Sequence, residues 1–252
     1  MKYLKLNLLL FLAGFLAQAG YSQPIKSRGK SAISAQRIIL KYKKHDDSEM
    51  ESRADTLRIP VATAEYPALK KALSYQKLFF GDDLKTLRQN HTDCGCGITS
   101  LNYEVAFENK DVISLKLFYE TEAAYPSSYQ QWLTLNKHTG NAHPLSAEID
   151  QKGRNWLLKM YRDTLLKRIK EDKEARTDED SVTYDELKTH ISQLIESTLF
   201  SKYIFTNNGL MLSIDGMLPH VVQDMEPDDD LFIPYPKLKP YILPTAIILK
   251  RK

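Results

Sequence analysis

The sequence predicts an α+β fold: an antiparallel β-meander and C-terminal strands packed with two amphipathic helices, preceded by a smaller α+β part. Three observations point there. Between Leu101 and Tyr119, apolar and polar residues alternate on either side of a short polar turn, the pattern of two half-buried antiparallel strands. Around Leu157–Ile169 and Leu187–Ile195 the apolar residues instead recur at three- and four-residue steps, the spacing of a helix with one buried face. Strand and helix signals do not alternate regularly, which argues against a parallel βαβ architecture.

The elements follow in order. Lys2 and Lys5 precede an apolar run from Leu8 to Ala17, small residues follow at Ala19, Gly20 and Ser22, and the chain turns polar at Gln23. This pattern predicts a cleavable signal peptide over residues 1–22. The apolar run falls short of the roughly 20 residues that span a bilayer, and no cysteine stands at the cleavage point to carry a lipid. The chain is therefore expected to be periplasmic or secreted, with no stable membrane anchor. Residues 23–34 read as a disordered linker, 35–97 as an N-terminal α+β subdomain and 98–252 as a C-terminal α+β domain.

Within the first part, strands are expected over Ala35–Lys43 and Thr56–Thr63, with Pro60 confining the second to an edge or forcing a bulge. Helical spacing starts at Pro67, and Asp82 or Asp83 can cap a short helix through Leu87. In the second part, strands run through Leu101–Phe107 and Ile113–Tyr119, with a third over Tyr129–Asn136. Two helices follow, the second opened by the capping-box pattern Thr183-x-x-Glu186 and burying Leu187, Ile191, Leu194 and Ile195. Asn207-Asn208-Gly209 marks a tight turn between short strands, Leu231–Ile233 forms another strand, and Thr245–Leu249 is expected to pair at a sheet edge.

Charge narrows the function. The chain has 35 basic and 32 acidic residues, and two of the lysines fall in the leader. A near-neutral mature chain gives no reason to expect nucleic acid, whose phosphates call for a basic surface. The only cysteines, Cys94 and Cys96, flank Gly95. As a pair they read as a disulfide stapling a turn or as two free thiols, with a redox site or half of a soft-metal site as the functional alternative; two thiolates alone do not complete a zinc shell. The acidic run Asp224, Glu226, Asp228, Asp229, Asp230 reads as a solvated loop before it reads as a calcium site. His138 and His143 read as surface histidines before they read as a metal pair. No nucleophile-elbow, zinc-protease or phosphate-loop motif is present, so no catalytic residue, metal or cofactor is expected. The aromatic residues Tyr119, Tyr125, Tyr129 and Trp132 gather around the second turn of the meander. Of that neighbourhood Tyr125, Pro126, Tyr129 and Trp132 are the candidate contact residues, because tyrosine and tryptophan often anchor protein or glycan ligands. The competing reading is that alternate members fill the core.

Several segments together resemble a known family. Ser114–Tyr119 leads through Ala124-Tyr125-Pro126 to Leu135-Asn136 and Thr139-Gly140. Phe205–Leu210 and the aromatic-proline ending Phe232–Tyr241 come later, in the same order. This is similar to the extracellular domain of lysozyme-sensing anti-sigma factors and to the non-catalytic domain beside some peptidoglycan deacetylases, over roughly residues 99–243, with a weaker echo at 59–90. The resemblance implies a two-part α+β domain of the bacterial envelope that binds rather than catalyses. Where that family often has Gly-Gly-Ala-His, this chain has Glu122-Ala123-Ala124-Tyr125, so no role for the histidine carries over. The expected function is an exported, non-enzymatic binding module whose partner is an envelope protein or cell-wall glycan. The alternative is a cell-wall hydrolase with a site assembled from distant residues.

Overall fold

The computed structural model describes residues 30–43, 52–123, 125–175, 181–214, 228 and 230–251. The expected leader, most of the expected linker, and Asp224, Glu226 and Asp229 lie outside them. The α+β class is as the sequence predicts, built on two sheets. The larger has five strands in sequence order: β1 (Ile33–Tyr42), β2 (Arg53–Ala62), β3 (Gly97–Glu108), β4 (Val112–Glu122) and β5 (Ser127–Asn136). The smaller is an antiparallel set, β6 (Tyr203–Phe205), β7 (Gly209–Leu212) and β8 (Leu231–Pro234).

The first hairpin, β1–β2, begins at Ile33, inside the stretch expected to be a linker, and joins the meander by pairing β2 parallel to β3 at Leu57↔Leu101. The large sheet thus continues across residue 97, and Ala32–Lys252 cluster as one unit. Pro60 is tolerated in this inner strand because the β2–β3 register is confined to Leu57, three residues earlier, so its missing N–H interrupts no ladder there. Arg58 bridges the gap where the strands part, donating to the Tyr103 carbonyl at 3.0 Å and to Asn102 Oδ1 at 2.9 Å, with its guanidinium over the Tyr103 ring.

Three short helices cover one face of the large sheet: α1 (Pro67–Ala72), α2 (Tyr75–Leu78) and α3 (Leu84–Cys94). Asp83 is the cap of α3, accepting from Thr86 N at 2.7 Å. Leu69, Leu73, Leu78 and Leu87 from the helices meet Leu57, Leu101, Leu115 and Leu117 from the strands in one apolar core. Each such side chain contributes roughly 1.5–3 kcal/mol by leaving water. The α1 side also closes on the turn after β5. Gly140 there has φ 71°, and a Cβ on it would lie 2.4 Å from the Ala68 carbonyl oxygen, so only glycine fits.

A second core lies between the long helix α4 (Gln151–Ala175), α5 (Ser181–Ser192), the turn α6 (Glu196–Leu199) and the small sheet. Leu157, Tyr161, Leu165 and Ile169 form the buried stripe of α4. α5 is already helical at Ser181, so Thr183 stands inside it and not at its start. It ends at Ser192, which leaves Ile195 exposed and outside the expected apolar face. Phe107 joins this second core although it was expected in line with Leu101, Tyr103 and Val105. The register shifts between Val105 and Phe107, and that extra residue turns Phe107 to the other face.

No edge strand forms over Thr245–Leu249. The amides of Ile247, Ile248 and Leu249 instead bond to the carboxylate of Glu148, at 3.0, 3.0 and 2.9 Å. The proline-rich stretch before them coils into α7 (Tyr235–Leu238) and a 3-10 turn at Lys239–Tyr241. Among the described residues, no helix is long and apolar enough to cross a membrane.

Candidate functional site

The face of the large sheet opposite α1–α3 is polar by strand alternation. Cross-strand pairing sorts its side chains into rows: Ser100–Glu120–Ser128, Asn102–Phe118–Gln130 and Glu104–Lys116–Trp132. The small sheet covers the Trp132 end of the third row and leaves Glu104 exposed. Ala106, Trp132 and Ile204 are buried together with Met211 against them, and Lys116 and Lys202 each place an ammonium over the Trp132 ring, at 4.8 and 4.9 Å. The first two rows remain open as the floor of a cleft of about 660 Å³, walled by Lys202, Ser213, Asp228 and Asp230. Arg168 of α4 fixes the acidic wall by donating to the main-chain oxygens of Asp228 and Asp230.

The floor combines two chemistries. Phe118 offers a half-buried aromatic surface, flanked by two primary amides. Asn102 Oδ1 accepts from Arg58 and from Tyr103 N, and Gln130 Oε1 accepts from Trp132 Nε1 at 3.2 Å. Those bonds fix the amide orientations, so Nδ2 and Nε2 are the groups left to donate to a ligand. Glu120, between two serine hydroxyls in the next row, adds an exposed acceptor. The charged lining holds three carboxylates and one lysine, a balance that disfavours phosphate-bearing ligands and suits neutral, hydroxyl-rich ones. A smaller depression of about 290 Å³, lined by Pro126, Ser127 and Glu122, shares Glu120 and Ser128 with the cleft and extends it towards the β4–β5 turn.

The four candidate contact residues do not come together. Tyr125 is 79% exposed at the β4–β5 turn, next to Pro126. Tyr129 and Trp132 are three apart on one strand and so face opposite sides of the sheet. Tyr129 stacks on buried Tyr119 at 4.8 Å, on the helix-covered side, and exposed Phe80 leans over both rings. Burial pushes the Tyr129 phenol up to about 12. Trp132 is only 7% exposed and braces the two sheets from within. The sequence missed Phe118, Asn102, Gln130 and Glu120. Their signal was the polar half of the same alternation that identified the core.

His143 is not a surface histidine. It is buried beside Glu148, with Nε2 2.8 Å from Oε1, whereas exposed His138 faces Asp111 at 3.5 Å. The pair resembles a catalytic dyad, but the Glu148 oxygens already take His143 and three backbone N–H groups, two donors each. No lone pair is left for a substrate. Burial alone would raise the Glu148 carboxyl, but these hydrogen bonds together hold it below the usual glutamate value. It is a latch for the chain's last turns.

Cys94 and Cys96 are bonded to each other, 5.2 Å apart at Cα. His91, one turn earlier, is wholly buried with Nε2 3.3 Å from Asp55 Oδ2, and burial lowers its pKa. Among the described residues no three His, Cys, Asp or Glu side chains gather around a common point.

Fold and cleft together define an α+β domain with one sheet face buried under helices and the other covered in part by the small sheet and otherwise open. Two solved structures share that fold. A DUF3298 family protein from Pseudomonas aeruginosa is 15% identical with a TM-score of 0.56, over 85% of this chain and 96% of its own. A DUF3298 family member from Bacteroides fragilis is 12% identical with a TM-score of 0.52, over 87% of this chain and 97% of its own. No family model and no curated protein matches the sequence.

Proposed function

We propose that this chain is an exported, non-enzymatic binding module of the bacterial cell envelope, holding a peptidoglycan-derived saccharide in the cleft. One observation carries the reading: Phe118 lies between the amides of Asn102 and Gln130, beside Glu120 and its two serines. An aromatic surface accepts the C–H face of a sugar ring, while amides and a carboxylate in reach of its rim exchange hydrogen bonds with hydroxyl and acetamido groups. The leader-like start of the sequence and its resemblance to envelope-sensing and deacetylase-associated domains support the compartment. Tyr125 and Pro126 are assigned to the rim of this surface, Tyr129 to an aromatic patch with Tyr119 and Phe80 that also borders the cleft, and Trp132 to the support beneath the cleft.

The test is sedimentation of the mature chain with purified peptidoglycan. Saturable retention that falls at least tenfold in Phe118→Ala, and less in Tyr125→Ala, is expected. Retention that ignores Phe118 removes the cleft from the reading. Capture of an envelope protein in place of glycan shifts the ligand to the partner that the same resemblance also allows. Release of soluble fragments or new reducing ends, lost in Glu120→Gln, replaces binding with hydrolysis.

A further inference from the structure

We infer that the Cys94–Cys96 bridge is a thiol–disulfide exchange site for dithiols of exported proteins, and not a structural staple. The inference is independent of the cleft.

The bridge has little structural work to do. It spans a single residue, so it restrains the unfolded chain over the shortest of loops, where the entropic gain from a cross-link is smallest. The reversal from α3 into β3 is held by other means. Gly95 caps α3 in the left-handed conformation, φ 66°, with its N–H on the His91 carbonyl at 2.9 Å. Arg53 of β2 donates to the Gly95 carbonyl at 2.6 Å, and is itself held by Asp55 at 2.9 Å and Glu122 at 3.7 Å. Opening the S–S bond leaves both clamps in place.

The surroundings also give the two sulfurs different roles. Cys94 is the exposed member and Cys96 the half-buried one, so an incoming thiolate reaches Cys94 Sγ. Cys94 is also the last residue of α3, where the negative end of the helix dipole disfavours a thiolate. Cys96 Sγ stands farther from the helix-end carbonyl oxygen of Asn90, 3.9 Å against 3.1 Å for Cys94 Sγ, and the Arg53 guanidinium bound to the adjoining Gly95 carbonyl is the cation that eases its departure. The step balances as an exchange. The partner's first thiolate forms an S–S bond to Cys94 while the Cys94–Cys96 bond breaks and Cys96 leaves as thiolate. The partner's second thiolate then attacks its own bridged sulfur and releases Cys94. The partner ends oxidised to a disulfide, the pair ends reduced to two thiols, and the two protons pass from the partner's thiols to Cys94 and Cys96.

The experiment mixes the oxidised, mature chain with a reduced synthetic peptide that carries two cysteines. Peptide disulfide and protein thiols are followed by quenched alkylation and mass spectrometry, with near-ultraviolet circular dichroism recorded on the same samples. The expected result is equimolar transfer within minutes with the folded signal intact, absent in the Cys94→Ser/Cys96→Ser variant and several-fold slower in Arg53→Gln. A bridge that survives hours with excess peptide overturns the inference. So does loss of the folded signal in step with thiol appearance, which makes the bridge a staple after all. An unchanged rate in Arg53→Gln, in a variant whose thermal midpoint matches the parent, removes the role given to the guanidinium.

Discussion

The two faces of the five-stranded sheet come from the same strands and obey opposite rules. On β4, Ile113, Leu115, Leu117 and Tyr119 are buried beneath helices, while Ser114, Lys116, Phe118 and Glu120 point the other way. The helix-covered face is sealed by local neighbours, three short helices inserted between β2 and β3. The opposite face is only half covered, and its cover comes from the distant C-terminal third, where Glu148 holds residues 247–249. Stability therefore concentrates on one side of the sheet and in the latch. The open rows, Ser100–Glu120–Ser128 and Asn102–Phe118–Gln130, lie outside both cores.

Substitutions on each side can break or sharpen that contrast. The largest effect is expected at Glu148. Glu148→Ala leaves His143 and three backbone donors without their acceptor, and should cost about 4 kcal/mol of unfolding free energy by urea titration. Leu117→Ala empties space in the helix-covered core and should cost about 3 kcal/mol, read the same way. Acidification should weaken the latch selectively. The Glu148 carboxyl is held below its ordinary value in the folded state, so its contribution is complete above the unfolded glutamate pKa. It is lost as the pH falls through the lower, folded one. Protection of the Ile247–Leu249 amides against hydrogen exchange should disappear at acid pH before that of β4. Smallest of all, Glu120→Gln on the open face should change stability by no more than about 0.5 kcal/mol in either direction. A cost at Glu120 as large as at Leu117 would mean that the open rows are structural.

Much of the fold was legible because periodicity reports burial directly. The meander, the buried stripe of the long helix and the turn at Asn207-Asn208-Gly209 are all visible as spacing. What escaped was set by tertiary partners. Phe107 changes face because of one extra residue near Ala106, and nothing about an alanine announces a bulge. Ile247–Leu249 look like a strand because they are apolar, yet their amides find a carboxylate about 100 residues away. His143 sits in polar sequence but is buried in the fold. The cleft itself was half legible. The alternation between Leu101 and Tyr119 placed Asn102 and Phe118 on the non-core side, but only strand register brings Gln130 into their row. The aromatic residues drew attention by type, and Tyr129 and Trp132 were divided between faces by an odd spacing.

The latch also bears on how such a chain acquires its shape while it emerges in order during synthesis. Glu148 appears early and must stay hydrated, because the three amides that take it out of water follow only after about a hundred more residues. Until then the meander can fold on its helices while the second core waits unfinished. Chaperones or proteases in that interval would meet a half-built molecule whose exposed part is always the same: the C-terminal third.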